Sequence, residues 1–216
     1  MAWLSTPMKP ILAVLAAILL CPVPSAAQTS GKDGLDPVVL QLKWQHQFQF
    51  AGYYAAVEKG FYRDAGLAVE LRSAEPGQQP MEEVTEGRAE FGVGTTDLLI
   101  MQDQGLPVRV LAAIMQHSPL ALATLRDGGT TNIHRLASVP VMVEPHSAEL
   151  LAYFTREGVA PEKLDLVEHS FDLADLVTGR VGAMSVYTTD EPYALREGAR
   201  DYLLFRPIES GIDFYG

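Results

Sequence analysis

Residues 38–71 read VVLQLKWQHQFQFAGYYAAVEKGFYRDAGLAVEL, which is a complete strand–helix–strand pattern. The apolar start predicts a strand, and the segment that ends at Lys59-Gly60 predicts a helix. A second helical turn stops at Gly66, and another strand is expected from Leu67. In open α/β sheets, ligands bind beyond the carboxyl ends of the strands. The polar loop 44–49 is therefore predicted to form part of a binding site.

Strands and short helices continue to alternate along the chain, a pattern typical of α/β proteins with mainly parallel sheets. A buried strand is expected at 108–115 because this run is apolar and partly β-branched. The turn 127–129 separates two such series and indicates a boundary between two lobes. The other strands are expected at 90–94, 120–125, 139–143, 164–167, 181–186 and 202–205.

Residues 1–27 have the layout of a secretory signal peptide, with an apolar run at 11–20 and small residues up to Ala27. This pattern predicts export to the periplasm and cleavage after Ala27. A lipid anchor at Cys21 and an uncleaved membrane anchor are the alternatives, and the bulky residues before the cysteine disfavour lipidation. The polar, glycine-containing segment 28–36 is expected to be a flexible linker.

Cleavage would leave 189 of the 216 residues, enough for one large or two small domains. The net charge would become −12, because the chain's −11 includes one positive charge in the leader (−11 − 1 = −12). Such an acidic chain without a basic cluster is not expected to bind nucleic acid or anionic lipid. The mature part contains no cysteine, which excludes disulfides, thiolate metal sites and cysteine nucleophiles.

Motifs for nucleotides, metals and catalysis are missing from the sequence. Residues 87–92 have glycines at a phosphate-loop spacing, but Val93 stands where the lysine is required. The five histidines form neither an HExxH motif nor an i,i+4 pair, so neither a metal nor another cofactor is expected. Four carboxylates could pair in space, but the sequence does not place them: Asp97, Glu144, Asp190 and Glu191. The chain is not expected to be an enzyme.

Polar residues at strand ends are the better candidates for a binding site. The backbone N–H groups of residues 95–97 open a helix and could hold a polar group, or they could belong to an ordinary capped helix. Gln116-His117 and the segment 144–147 both follow apolar strands. Each could be a solvated loop, but several such segments meeting at one sheet edge would form a site.

Three blocks of the sequence together resemble a known family: residues 42–71, 91–122 and 179–216. They include the stretches LKWQHQFQFAGYYAA, FGVGTTDLL and VGAMSVYTTDEPYAL, which are specific in combination. They resemble bacterial periplasmic solute-binding proteins of the thiamine-pyrimidine-precursor type, a family similar to the fungal thiamine pyrimidine synthases. The resemblance covers most of residues 38–216.

The resemblance implies a type II periplasmic-binding fold, in which crossing strands join two α/β lobes around a ligand cleft. The first lobe is expected to comprise residues 37–125 and 206–216, and the second residues 126–205. The residues expected to bind the ligand are Trp44, Gln47, Tyr54, Thr95, Thr96, Gln116 and His117 from the first lobe, and Glu144, His146, Ser147, Tyr187, Thr189 and Glu191 from the second.

The function implied by the resemblance is capture of a small molecule, most plausibly a thiamine pyrimidine precursor, for an ABC transporter permease. The protein would be a monomer that contacts the membrane only through the permease. A sensing module of a signalling receptor is the alternative. A synthase is disfavoured, because the cysteine-rich motif that the fungal enzymes need is missing.

The ligand implied is a small, flat, neutral or cationic heterocycle between Trp44 and Tyr187, with Glu191 on its polar edge. Aromatic side chains can stack on the two faces of such a ring, and a carboxylate accepts hydrogen bonds from its amino group. Trp44 could instead be a core residue, and Glu191 could be an acid that favours a helix start. A phosphorylated ligand is not expected, because the sequence shows no arginine cluster.

Two departures from the family pattern bear on stability. The segment 132–140 lacks the Asp-Leu-x-Gly-Lys motif expected near the start of the second lobe. The chain also stops at Gly216, where the related proteins continue with further first-lobe helices. The sequence is therefore expected to be a fragment or a shortened gene product. It should be less stable than a longer relative and should expose an apolar face.

Overall fold

The computed structural model describes residues 34–128, 130–145 and 147–215. The predicted signal peptide, its cleavage after Ala27 and the alternative at Cys21 lie outside these ranges, as does the predicted site residue His146. Of the predicted linker 28–36, only the last three residues are described, and Asp36 already begins a strand.

The first sheet consists of three parallel strands in the order β2-β1-β3. The strands are β1 Asp36–Gln41, β2 Leu67–Arg72 and β3 Phe91–Gly92. The helices of this lobe are α1 Ala51–Glu58, α2 Phe61–Asp64, α3 Pro80–Thr85 and α4 Asp97–Asp103. Gly60 and Gly66 turn the chain with φ values of 78° and 80°, a region that favours glycine. The predicted unit at 38–71 is confirmed, whereas the strand predicted at 90–94 is shorter.

The second sheet consists of five strands in the order β6-β5-β7-β4-β8. Strand β5 runs parallel to β6 and β7, and β4 pairs antiparallel with β7 and β8. The strands are β4 Leu120–Leu125, β5 Pro140–Val143, β6 Asp165–Glu168, β7 Ala183–Tyr187 and β8 Tyr202–Phe205. The helices are α5 Ala148–Arg156, α6 Ala174–Val177 and α7 Glu191–Glu197.

Strand β4 shows how the second sheet is covered on both faces. All six of its residues are buried. Successive side chains of a strand point to opposite faces. Accordingly, Leu122 packs in the cluster that contains Phe154 of α5, and Ala123 packs in the cluster that contains Leu176 of α6. Two hydrophobic clusters therefore hold this sheet between its helices.

The pairing of β4 bears on the lobe boundary predicted after residue 125, which stays a prediction. Residues 120–125 are predicted to lie in the first lobe, but β4 pairs with β7 and β8 of the five-stranded sheet. The alternation of strands and helices does not reveal an antiparallel partner that is distant in sequence. By its hydrogen bonds, β4 lies with the second-lobe strands.

The buried strand predicted at 108–115 is wrong. Val108 is buried, but Val110, Leu111 and Ile114 expose 52%, 74% and 60% of their surface. Within the described residues this segment pairs with no strand. An apolar run becomes a buried strand only when a partner supplies backbone hydrogen bonds and a covering layer.

None of the described helices is long and apolar enough to cross a membrane.

Candidate ligand-binding cleft

The loops that follow β1, β3, β5 and β7 meet between the two lobes. Several side-chain contacts cross between the lobes, and two of them are polar contacts to carboxylates. The Lys43 ammonium lies 3.2 Å from Oε1 of Glu144, and Nε2 of Gln47 donates to Oε1 of Glu191 over 3.4 Å. Loops after parallel strands are where ligands bind in this class of fold. Of the polar segments singled out in the sequence, the loop 44–49 and the segments at 95–97 and 144–147 therefore converge, whereas Gln116-His117 does not.

Two cavities lie along this line of contact, and Glu144 lines both. The first has a volume of about 200 Å³. The second has a volume of about 450 Å³ and is more apolar. The first is lined by Trp44, Gln47, Gln49, Glu144, Ser185, Val186, Tyr187 and Glu191. The second is lined by Lys43, Gln78, Pro80, Met81, Val93, Gly94, Thr95, Asp97, Leu98, Met101, Glu144, Pro145 and Phe171.

Trp44 combines the two roles between which the sequence could not decide. Only 6% of it is exposed, and it packs with Leu42 and Phe50 in the first-lobe cluster. It also lines the first cavity. Its ring centroid lies 3.8 Å from that of Phe171 and 4.6 Å from that of His169, in tilted and edge-on arrangements. An aromatic wall therefore extends from the first lobe to the second.

The loop after β6 holds this wall in place. Phe171 has a φ of 63°, which is unusual and costly for an aromatic residue. Its backbone N–H donates to Nδ1 of His169 over 3.0 Å, while Nε2 of His169 donates to the carbonyl of Ser185 over 3.1 Å. With one ring nitrogen accepting, the imidazole is neutral. Burial also lowers the pKa of His169, which favours the neutral form of the imidazole.

Lys43, Glu144 and Tyr187 form a buried ionic group between the cavities. The lysine ammonium lies 4.4 Å from the Tyr187 ring centroid. Burial disfavours its charge, but Glu144 and Tyr187 outweigh this and raise the pKa of Lys43. Burial raises the pKa of Tyr187 to about 12. Glu144 is oriented by the second sheet, because its backbone N–H donates to Oγ of Ser185 over 2.9 Å.

Glu191 and two glutamines give the first cavity its polarity. Oε2 of Glu191 accepts from the backbone N–H of Tyr187 over 2.8 Å, and burial raises the pKa of Glu191. The side-chain carbonyl oxygens of Gln47 and Gln49 are buried and have no hydrogen-bond partner within the described part of the chain. Buried acceptors are normally satisfied. This cavity therefore offers hydrogen-bond acceptors to a ligand that carries hydrogen-bond donors.

The second cavity is bounded by the start of α4. The backbone N–H of Asp97 donates to Oγ1 of Thr95 over 3.3 Å. Gly94 brings the backbone close to Leu98, since a Cβ at Gly94 would lie 2.9 Å from Cδ1 of that leucine. Asp97 is 8% exposed and faces an otherwise mostly apolar lining. Among the described residues, no group of three His, Cys, Asp or Glu side chains could hold a metal ion.

A family model described as NMT1/THI5 like matches residues 47–216. The chain belongs to the NMT1/THI5-like family. The matched range includes the loops after β3, β5 and β7. It also includes every residue that lines the two cavities except Lys43 and Trp44, which precede it.

Two relatives of this NMT1/THI5-like chain are named as binding proteins. Riboflavin-binding protein RibY of Chloroflexus aurantiacus is 27% identical over 199 residues, which cover 88% of this chain and 54% of the relative. The formylaminopyrimidine-binding protein of Halalkalibacterium halodurans is 23% identical over 212 residues, which cover 95% of this chain and 64% of the relative. The chain thus spans less than two thirds of the length of either relative.

Solved structures confirm the two-lobed α/β fold that the resemblance implied. The alkanesulfonate-binding protein SsuA of Xanthomonas axonopodis pv. citri, bound to MOPS, superposes with a TM-score of 0.59 at 15% identity. The superposition covers 79% of this chain and 60% of that protein. Substrate-binding proteins of ABC transporters are among the structures that share the fold. At such low identity the likeness establishes the fold alone.

Seven of the predicted site residues lie at the cleft of this NMT1/THI5-like chain. Thr95 lines the second cavity, and Glu144 lines both. Ser147 lines neither, but it is buried and its hydroxyl donates to the carbonyl of Glu144 over 2.7 Å, so it fixes the loop after β5. The remaining four line the first cavity: Trp44, Gln47, Tyr187 and Glu191.

Five other predicted site residues line neither cavity. His117 and Gln116 are exposed, and Nδ1 of His117 lies 2.7 Å from Oδ2 of Asp213. Thr96 flanks the start of α4 and Thr189 is exposed. Tyr54 is partly exposed, and its hydroxyl contacts Nδ1 of His46. Their predicted binding role stays a prediction.

The cleft also contains residues outside the predicted list of ligand-binding residues. Lys43 directly precedes the predicted loop 44–49 and Gln49 is its last residue, and their position after β1 was a usable signal. His169 and Phe171 follow β6, so the same strand-end rule could have found them. Ser185 lies within the buried strand β7, and its role depends on a contact with Glu144 across the sheet. No sequence pattern indicates such a contact.

Proposed function

We propose that this protein binds a small, flat, donor-rich nitrogen heterocycle, of the thiamine-pyrimidine-precursor class, for uptake by an ABC transporter. The observation that carries the proposal is the first cavity, where unpartnered amide carbonyls and carboxylates stand beside aromatic side chains. The protein would capture the ligand without changing it chemically. It would act in the periplasm and deliver the ligand to a membrane permease.

The polar groups of the first cavity favour amino and ring N–H donors on the ligand. The carbonyls of Gln47 and Gln49 lack partners in the described chain, and Glu144 and Glu191 add carboxylate oxygens. An unsatisfied buried acceptor costs about 1–3 kcal/mol. A ligand that donates to these oxygens removes this cost, whereas an acceptor-rich or anionic ligand would increase it.

The aromatic groups favour a planar ligand. Trp44 and Tyr187 line the cavity and come from different lobes. Offset stacking of rings contributes about 0.5–1.5 kcal/mol beyond the burial of apolar area. An aminopyrimidine presents two apolar faces and a polar edge, which matches aromatic walls with acceptors between them.

The acceptors of the first cavity favour an aminopyrimidine over riboflavin. The relative from Halalkalibacterium halodurans is named for formylaminopyrimidine and RibY for riboflavin. The amino groups of an aminopyrimidine can donate to the carbonyls of Gln47 and Gln49, whereas the fused rings of riboflavin carry two carbonyl acceptors and a single N–H. A pyrimidine therefore suits this chain better.

Titration calorimetry would test the proposal. The titrants would be hydroxymethyl-aminopyrimidine, formylaminopyrimidine, riboflavin, taurine and a phosphorylated pyrimidine. We expect an aminopyrimidine to bind best. Glu191→Gln should weaken its binding about tenfold or more, because hydrogen bonds to charged groups contribute about 1.5–3 kcal/mol.

The matched control for the carboxylate is Glu197→Gln on the exposed side of α7, which should leave the affinity unchanged. Exclusive binding of an anion would refute the ligand class. If Glu191→Gln binds as tightly as the original chain, the first cavity is not the site.

A further inference from the structure

Lys43 reaches from the loop after β1 into a wall that belongs to the second lobe. Its ammonium lies 3.2 and 3.4 Å from the two carboxylate oxygens of Glu144 and 4.4 Å from the ring centroid of Tyr187. The lysine and glutamate side chains are only 9% and 6% exposed. The ammonium is thus enclosed by a carboxylate on one side and an aromatic face on another.

Such surroundings recognise a cation in general, whether it belongs to a side chain or to a ligand. Cation–π contacts strengthen when desolvated, and charge-assisted hydrogen bonds are among the strongest in proteins. Glu149 adds a second buried carboxyl that interacts electrostatically with Lys43, and its Oε1 has no hydrogen-bond partner within the described residues. Apart from the lysine, these groups would attract positive charge and repel an anion.

We propose that Glu144 and the face of Tyr187 form a subsite for a ligand's ammonium or protonated amino group, which the Lys43 ammonium fills as an internal competitor. The identity of the ligand's remaining part rests on the function proposed above, but the cation subsite does not. Binding would displace the lysine from Glu144. The lysine side chain could then turn toward the second cavity, which it already lines.

Chemical rescue of Lys43→Ala tests the subsite without the natural ligand. The substitution removes the side chain beyond Cβ, and n-propylammonium replaces the missing atoms. We expect millimolar n-propylammonium chloride to raise the melting midpoint of Lys43→Ala by about 2 °C or more through preferential binding to the folded state. It should not stabilise the original chain or the exposed-lysine control Lys59→Ala.

Two further controls distinguish the effect of the ammonium charge from the effect of the propyl group and from that of ionic strength. The neutral analogue 1-propanol and sodium chloride of equal concentration should not give the same shift. Lys43→Ala leaves Glu144 buried without its partner, so it could fail to fold. In that case n-propylammonium should restore a cooperative transition. Equal responses of all variants, or no rescue of an unfolded Lys43→Ala, would overturn the subsite.

Lys43→Met tests the competition itself. Without the competing ammonium, a pyrimidine that carries an aminomethyl group, which is protonated at neutral pH, should bind about tenfold more tightly than to the original chain, since one charge-assisted contact is freed for the ligand. The double variant Lys43→Met/Glu144→Gln should lose this gain. Weaker binding to Lys43→Met would show that the lysine assists the ligand, which overturns the competition. If no variant binds a pyrimidine but n-propylammonium rescue succeeds, the proposed ligand class fails and the subsite stands.

Discussion

Trp44 shows how one side chain can serve both the core and the site. It is buried against Phe171 and His169 and also lines the first cavity. Trp44→Ala should therefore destabilise the protein by about 3–5 kcal/mol, as deletions of large buried aromatics do. Urea denaturation would measure the loss. Phe48→Ala, in the same loop but 75% exposed, should change the free energy of unfolding by no more than about 0.5 kcal/mol. A mild effect of Trp44→Ala would contradict the core role.

The titration of Glu149 should make stability depend on pH. Burial raises the pKa of this carboxyl from 4.5 to about 7 in the folded protein. Between these values the unfolded chain releases a proton that the folded chain keeps. The free energy of unfolding should therefore fall as the pH rises from about 4.5 to 7, and this contribution should level off above 7.

Glu149→Gln should remove that dependence and make the variant relatively more stable at pH 8 than at pH 5. Urea midpoints at both pH values would show the effect, with the exposed Glu162→Gln as the control. Parallel pH profiles of the original chain and Glu149→Gln would mean that Glu149 keeps an ordinary pKa.

At the scale of single residues, the sequence allowed the cleft to be predicted in part. The cleft positions of Trp44, Gln47 and Glu191 could be predicted from the sequence, because each residue lies at a strand end or a helix start. The ion pair of Lys43 was not predictable, because it joins residues 101 positions apart in the chain. Residue type and local position indicate that a side chain is polar, but not which distant side chain it meets.

Among the elements, glycines have opposite roles in α1 and β3. At Gly52 of α1 an added Cβ would meet nothing within 4 Å, whereas at Gly92 of β3 it would lie 2.8 Å from Cγ2 of Val84, a β-branched side chain that is stiff in a helix. Gly52→Ala should therefore stabilise the protein by about 0.5–1 kcal/mol. Gly92→Ala should destabilise it by about 1–3 kcal/mol through overpacking. Thermal melts would compare the two, and a stabilising Gly92→Ala would contradict the packing at β3.

The strands also show where pattern analysis succeeds and where it fails. Strand β4 was located to the residue because both of its faces are buried and it is apolar throughout. The equally apolar segment 108–115 forms no strand in the described structure, because a strand needs a partner as well as a suitable composition. The sheet to which β4 belongs was likewise not predictable, since antiparallel pairing with β7 and β8 depends on tertiary contacts.

For the whole molecule, the segment 110–114 governs behaviour in solution. Val110, Leu111 and Ile114 are largely exposed within five residues of chain. Clustered apolar surface favours association. The monomer expected from the family resemblance should therefore predominate only at low concentration. Sedimentation velocity over a hundredfold concentration range should reveal larger species as the concentration rises.

Leu111→Lys combined with Ile114→Lys should shift the distribution toward the monomer, because two charges replace exposed apolar surface and repel a second copy. The melting midpoint should change little, since neither side chain is buried in the monomer. The matched control is Phe61→Lys, which introduces a charge at an exposed aromatic residue of α2 outside the segment. If Phe61→Lys disperses the protein equally well, or if the double variant associates as before, segment 110–114 is not the surface through which copies meet.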